Sequence, residues 1–257
     1  MTADINSQNS YINIGASQLW IDNLAGNTFK DGSLNFRQDL VQGNSLPTDK
    51  KDYATFNGNI NAVNSTINIT STILNGNINA DKNSPVTIKN SLWNNSGINN
   101  DIESSLSLND SEINLSSESG SKLSVNQMMA SNNSFTYKIN DGKTSTLILK
   151  NTPVGIKNNI NLIFQNKDGS PGLPWTDSML TLIKAPVDTP DDYFTLKYKS
   201  DLFDYSPALQ VTQNDNIKTW DFIPSLSGIK LKKNITLDHD WVYSGKLFFR
   251  CDVDPFA

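Results

Sequence analysis

The chain has 257 residues, 37% hydrophobic and 18% charged, with a formal net charge of −5 and a pI near 4.8. Sparse, acidic charge with no basic run longer than Lys230, Lys232 and Lys233 argues against a nucleic-acid partner held by phosphate neutralisation. One cysteine excludes an internal disulfide, and one histidine beside it excludes a zinc cluster.

About a quarter of the residues are Asn or Ser. Disordered chains are also polar, but they lack regularly spaced β-branched and aromatic residues. Here Ile, Val, Thr, Phe and Tyr recur at short intervals, which predicts a folded chain. No apolar run approaches the ~20 residues of a membrane-spanning helix. Nothing before Asn6 has the pattern of a signal peptide. Any export signals are therefore expected outside this sequence.

From the N-terminus to about residue 130 the chain predicts short strands. Tyr11-Ile12-Asn13-Ile14, Leu19-Trp20-Ile21, Leu34-Asn35-Phe36, Thr66-Ile67-Asn68-Ile69, Val86-Thr87-Ile88, Leu106-Ser107-Leu108, Ile113-Asn114-Leu115 and Leu123-Ser124-Val125 follow one another. Most units put two apolar side chains two residues apart, on one face of a strand. Asn, Gly, Ser and Asp bound them as turn formers. Asn57-Gly58-Asn59-Ile60-Asn61-Ala62 returns as Asn75-Gly76-Asn77-Ile78-Asn79-Ala80, about 18 residues later. A fixed period near ~20 residues with short strands signals stacked coils. The expected fold is all-β: a right-handed parallel β-helix closed by a C-terminal β-sheet cap. Asn at the corners can stack into hydrogen-bonded ladders and tolerates left-handed backbone. Trp20, Tyr53, Phe56 and Trp93 are read as packing residues.

Near Ser131 the pattern changes. Ser134–Ile139 and Ser145–Leu149 flank Asn140-Asp141-Gly142, a hairpin signal. Asn161–Gln165, Leu180–Ile183, Tyr193–Leu196, Leu209–Val211 and Trp220–Phe222 follow. They predict a sheet lying over the open end of the helix, since exposed ladder ends must be covered. The organisation read from this is a β-helix stalk over 1–130, a cap over 131–228 and a compositionally distinct segment over 229–257. Phe135, Leu180, Phe194, Pro207 and Trp220 are the expected folding nucleus of the cap.

Four passages resemble one family. Tyr53–Ala62, Ser91-Leu92-Trp93, Ser134–Leu149, and Ile183-Lys184-Ala185-Pro186-Val187-Asp188-Thr189 with Phe194, Pro207 and Lys218-Thr219-Trp220 are similar to passages of the serine protease autotransporters of enterobacteria. The likeness covers about residues 10 to 226. It implies the distal β-helix and autochaperone of a secreted passenger, located at the cell surface or outside the cell. It also implies two partners in the parent protein: a serine protease domain upstream and an outer-membrane β-barrel downstream.

The family's catalytic apparatus has no counterpart here. There is no Gly-Asp-Ser-Gly, and His239, flanked by Asp238 and Asp240, stands beyond the cap. Asp188, Asp191 and Asp192 read as a solvated turn rather than a calcium loop, and no Gly-rich phosphate loop occurs. No cofactor and no catalysis are expected. The segment from Gly228 departs from the family, and Asn99-Asn100 lies in ladder context, a poor place for passenger cleavage. The expected function is a non-catalytic stalk and autochaperone. The alternative is an adhesin-type β-helix that binds a host protein or glycan. A polysaccharide-lyase β-helix needs basic clusters, yet Arg37 is the only arginine before Arg250.

Overall fold

The computed structural model describes residues 4–8, 11–15, 33–36, 50, 53–118, 120–166, 170, 172, 179–198, 203–204 and 207–223. It also describes the backbones of five short strands between 230 and 252. Leu19-Trp20-Ile21 and His239 lie outside the described residues.

Alternating apolar residues build two large sheets. In the first, Ala54–Asn57, Thr72–Asn75, Leu92–Asn94, Glu112–Leu115, Ser134–Asn140, Asn158–Gln165 and Phe194–Leu196 stack in chain order, every pair parallel. The second carries Thr66–Thr70, Val86–Lys89, Asn99–Asn109, Lys122–Ser131, Thr146–Leu149 and Leu180–Pro186, again parallel from one to the next. Chain order therefore runs along the stack, and the fold is a parallel β-solenoid of about five turns. The coil-length repeat in the sequence is the repeat of the fold.

Register makes the core. Phe56, Leu74, Trp93, Ile113, Phe135 and Ile160 form one inward column through the first sheet, and all are buried. Ala62, Ala80, Ile102, Val125 and Leu149 form another through the second. That column begins with two methyl-sized side chains and ends with larger ones, in step with the coil length. Partners one coil apart are separated by 18 residues at Asn57 and Asn75, 19 at Asn75 and Asn94, 20 at Asn94 and Asn114, and 25 at Asn133 and Asn158.

Asparagine forms the expected ladder. Asn75 Nδ2 donates to Asn57 Oδ1 at 2.6 Å, Asn94 to Asn75 at 2.6 Å and Asn114 to Asn94 at 2.7 Å. A second ladder runs from Asn79 through Asn61 to Asn6. One corner is a polar column that the sequence does not announce. The N–H of Thr72 donates to Ser91 Oγ, that of Ser91 to Ser111 Oγ, that of Ser111 to Asn133 Oδ1 and that of Asn133 to Asn158 Oδ1. The hydroxyls of Ser91 and Ser111 also donate to carbonyls two residues back. This corner thereby satisfies polar groups that burial would otherwise leave costly. The residue preceding each corner side chain takes positive φ: Ser71, Asn90, Asp110, Asn132 and Lys157. Four of the five are short polar types that bear this backbone best.

Two expectations are corrected. The turn at Asp141 and Gly142 exists, with φ of 53° and 69° and a bridge from Asn140 to Lys143. Its flanking strands, however, do not form a hairpin. Ser134–Asn140 joins the first sheet, and Thr146–Leu149 joins the second. Each finds a parallel copy of itself one coil away, with Phe135 and Tyr137 on one sheet and Leu147 and Leu149 on the other all facing the core. A two-stranded hairpin offers far less burial. The second correction concerns the N-terminal units, which do not stack in chain order. Tyr11–Gly15 lies between Ser33–Phe36 and Thr66–Thr70. Its Ile12-Asn13-Ile14 pairs residue for residue with the identical triplet Ile67-Asn68-Ile69.

Candidate functional site at the capped end

The parallel stack ends where Leu180–Pro186, parallel to Thr146–Leu149, receives Ile217–Phe222 in antiparallel register. Leu209–Asn214 then adds antiparallel to Ile217–Phe222, joined by a tight turn with Asp215 at φ 51°. This hairpin is local in sequence.

Trp220 anchors the cap. It sits opposite Ile183 and is fully buried. Its ring meets Phe194 edge-on at 5.4 Å, and Phe194 meets Phe135 at 5.8 Å and Tyr193 at 4.9 Å. Such edge-to-face pairs add to the area they bury. Phe164 extends the cluster to Phe222 at 5.6 Å and Tyr198 at 5.8 Å. Trp220 Nε1 donates to the Asp191 carbonyl at 3.2 Å, in the 3₁₀ turn Asp191–Tyr193.

Polar bolts tie this cluster to the coils. The Tyr193 hydroxyl lies 3.1 Å from the carbonyl oxygens of both Ala130 and Val154. The Tyr137 hydroxyl donates to the Leu182 carbonyl at 3.0 Å. Burial pushes Tyr193 up to about 12, partly opposed by its hydrogen bonds to Asn158 and Ala130, and pushes Tyr137 well above the usual phenol range. Thr181 and Thr219 hydroxyls each donate to a carboxylate oxygen of buried Asp221 at 2.6 Å. Lys218 Nζ donates to the Thr189 carbonyl at 2.6 Å and to Asp191 Oδ1 at 2.7 Å. The acidic turn therefore turns one of its carboxylates to a lysine.

Of the five residues singled out in the sequence, the structure brings Phe135, Phe194 and Trp220 into one contact chain. Leu180 is buried opposite Phe222 in the same sheet. Pro207 stands apart, half-buried just before Leu209–Asn214, where its missing N–H costs no ladder bond. Sequence reading missed Tyr137, Tyr193, Thr181 and Asp221. Thr219 and Asp221 are two apart and share a face, which is a usable signal; Thr181 is 40 residues away and leaves none. Tyr193 and Phe194 are adjacent, so strand alternation would expose one of them. The 3₁₀ turn ending at Tyr193 is what buries both.

Among the described residues, no group of three or more His, Cys, Asp or Glu side chains converges to hold a metal. No helix among them is long and apolar enough to cross a membrane.

No family model matches the sequence, and no curated protein matches it. Among solved structures it is similar to the Hap adhesin of Haemophilus influenzae, at 19% identity and a TM-score of 0.41. The match covers 67% of this chain and 21% of that one, so this chain spans about a fifth of the length of the matched structure.

Proposed function

We propose that this chain is a non-catalytic β-solenoid stalk of a secreted or surface-exposed autotransporter passenger, and that its C-terminal cap acts as an intramolecular chaperone. One observation carries the reading: the two ends of the stack differ. At the C-terminal end a local antiparallel hairpin and an aromatic cluster support Leu180–Pro186. At the other end the same sheet stops, among the described residues, at Ser33–Phe36, a parallel edge strand with no antiparallel hairpin added to it. In a solenoid each coil gains stability from its neighbours, so the first coil to form has nothing to lean on. A cap that folds locally supplies that first edge, and coils then add toward the N-terminus. A chain emerging C-terminus first outside a cell uses that order to draw itself outward. In this reading an upstream domain, such as a serine protease, rides on the stalk, and a membrane β-barrel follows it.

The test is refolding of the full chain with pulsed hydrogen exchange. Amides of Leu180–Pro186 and Ile217–Phe222 are expected to gain protection first, and those of Ala54–Asn94 last. Earlier protection of the 54–94 coils refutes the chaperone role.

A second reading, an adhesin-type solenoid, draws on the asparagine ladders. A side-chain amide has two donors and an oxygen with two lone pairs. Each interior rung spends one of each on its neighbours and keeps the others. That leaves a row of amides at coil spacing, suited to hydroxyl-rich ligands. Binding to a glycan array that is lost in Asn79→Leu, with folding intact, would establish it.

A further inference from the structure

The repeated Asn-Gly pairs have a chemistry that the stalk reading does not use. A glycine nitrogen next to asparagine is the least hindered backbone nucleophile for that side chain. Gly58 N attacks Asn57 Cγ and loses its proton to solvent. The Cγ–Nδ2 bond breaks and ammonia leaves. Water then opens the succinimide at either carbonyl, giving aspartate or isoaspartate. The net change is amide plus water to carboxylate plus ammonium, with no other reactant.

The fold closes both halves of this reaction, and unequally at the two sites. Both nucleophiles are engaged: Gly58 N–H donates to the Asn75 carbonyl at 2.9 Å, and Gly76 N–H to the Asn94 carbonyl at 3.1 Å. The side chains differ. Asn75 is clamped on both sides, donating to Asn57 Oδ1 and accepting from Asn94 Nδ2, each at 2.6 Å. Asn57 is the end rung. It accepts from Asn75, and its own Nδ2 donates to nothing among the described residues. Among the described residues Ala54–Asn57 is an edge strand of the first sheet, whereas the strand of Asn75 is paired on both sides. Edge strands open more readily than strands paired on both sides.

We propose that Asn57 and Asn75 are spontaneous deamidation sites guarded by the asparagine ladder, and that Asn57 is the one that converts in the folded protein. The ladder thus separates the two sites by position rather than by sequence, since each sits in the same Asn-Gly-Asn-Ile-Asn-Ala context. Isoaspartate at either site adds a backbone carbon to the strand and breaks the register that places Phe56 over Leu74.

The test is incubation of the full chain at mildly alkaline pH, folded and in denaturant, followed by peptide mapping for the mass gained when NH2 becomes OH. In denaturant the two sites are expected to convert at equal rates. In the folded protein Asn57 should convert about fivefold faster than Asn75, the weight of one ordinary hydrogen bond. Asn94→Ala, with its fold checked by circular dichroism, removes the donor to Asn75 Oδ1 and should bring Asn75 up toward the Asn57 rate. Equal rates at the two sites in the folded protein, faster conversion at Asn75, or folded rates equal to those in denaturant would each overturn the proposal. If Asn94→Ala does not fold, the ratio within the unmodified protein decides alone.

Discussion

The coils and the cap solve the same problem by opposite means. A coil such as 72–89 is a copy of its neighbours. Leu74 sits on Phe56 and under Trp93, Asn75 bonds Asn57 and Asn94, and the Thr72 N–H donates its corner bond to Ser91 Oγ. Its stability comes from repetition and is shared with the coils above and below. The cap repeats nothing. Trp220, Phe194, Tyr193 and Asp221 each have distinct partners, and the antiparallel hairpin that carries Trp220 is local in sequence. Repetition gives an extendable structure without a starting point. In the proposed reading the cap supplies that starting point and cannot itself be extended.

Replacing one tryptophan in each region tests this contrast most strongly. Trp220→Ala and Trp93→Ala each empty a fully buried indole site, and each is expected to cost about 3–5 kcal/mol in denaturant unfolding. Stopped-flow refolding should separate them. Trp220→Ala should slow folding, whereas Trp93→Ala, whose Nε1 bonds the Gly76 carbonyl at 2.8 Å, should mainly speed unfolding. The same partition for both would erase the distinction between the regions.

Gly76→Ala is a break confined to the coils. Gly76 has φ 152°, and a methyl there would overlap the Gly58 carbonyl oxygen. The expected loss is more than about 1 kcal/mol, with cap amides keeping their exchange protection while those of 54–80 lose theirs.

Alkali should attack the cap joint selectively. Tyr137 and Tyr193 have folded pKa values raised above the unfolded phenol value by burial. Their contribution is therefore complete below an unfolded pKa of about 10 and declines as pH rises toward the folded values, because only the unfolded chain ionises in that window. A stability-versus-pH curve should fall above about pH 10, and Tyr193→Phe should flatten part of that fall while losing its bonds to Ala130 and Val154.

The smallest expected effect is a gain. The asparagine ladder stops at Asn114, whose buried Oδ1 has no partner among the described residues. Register places Thr136 on the next rung and Asn161 beyond it. Thr136→Asn should extend the ladder and stabilise the chain by about 1 kcal/mol, seen as a raised denaturation midpoint at unchanged slope.

The sequence alone determined the coils, because a solenoid writes its neighbours into itself. Alternation set the inward faces of Ile67, Val86, Leu106 and Leu123, and the Asn-Gly-Asn-Ile-Asn-Ala repeat set the length of the first coil. Contacts there fall at an offset that drifts gradually from 18 to 25 residues, so a one-dimensional pattern contains most of them. Tertiary structure decided what has no such offset. The strands around Asp141-Gly142 look like a hairpin locally and part into different sheets, because the burial offered one coil away exceeds that of pairing with each other. Tyr193 reaches Ala130 across 63 residues and Thr181 meets Asp221 across 40, and neither distance is a coil offset. The cap is thus legible as composition, through its aromatic residues, and only three dimensions show which of them meet.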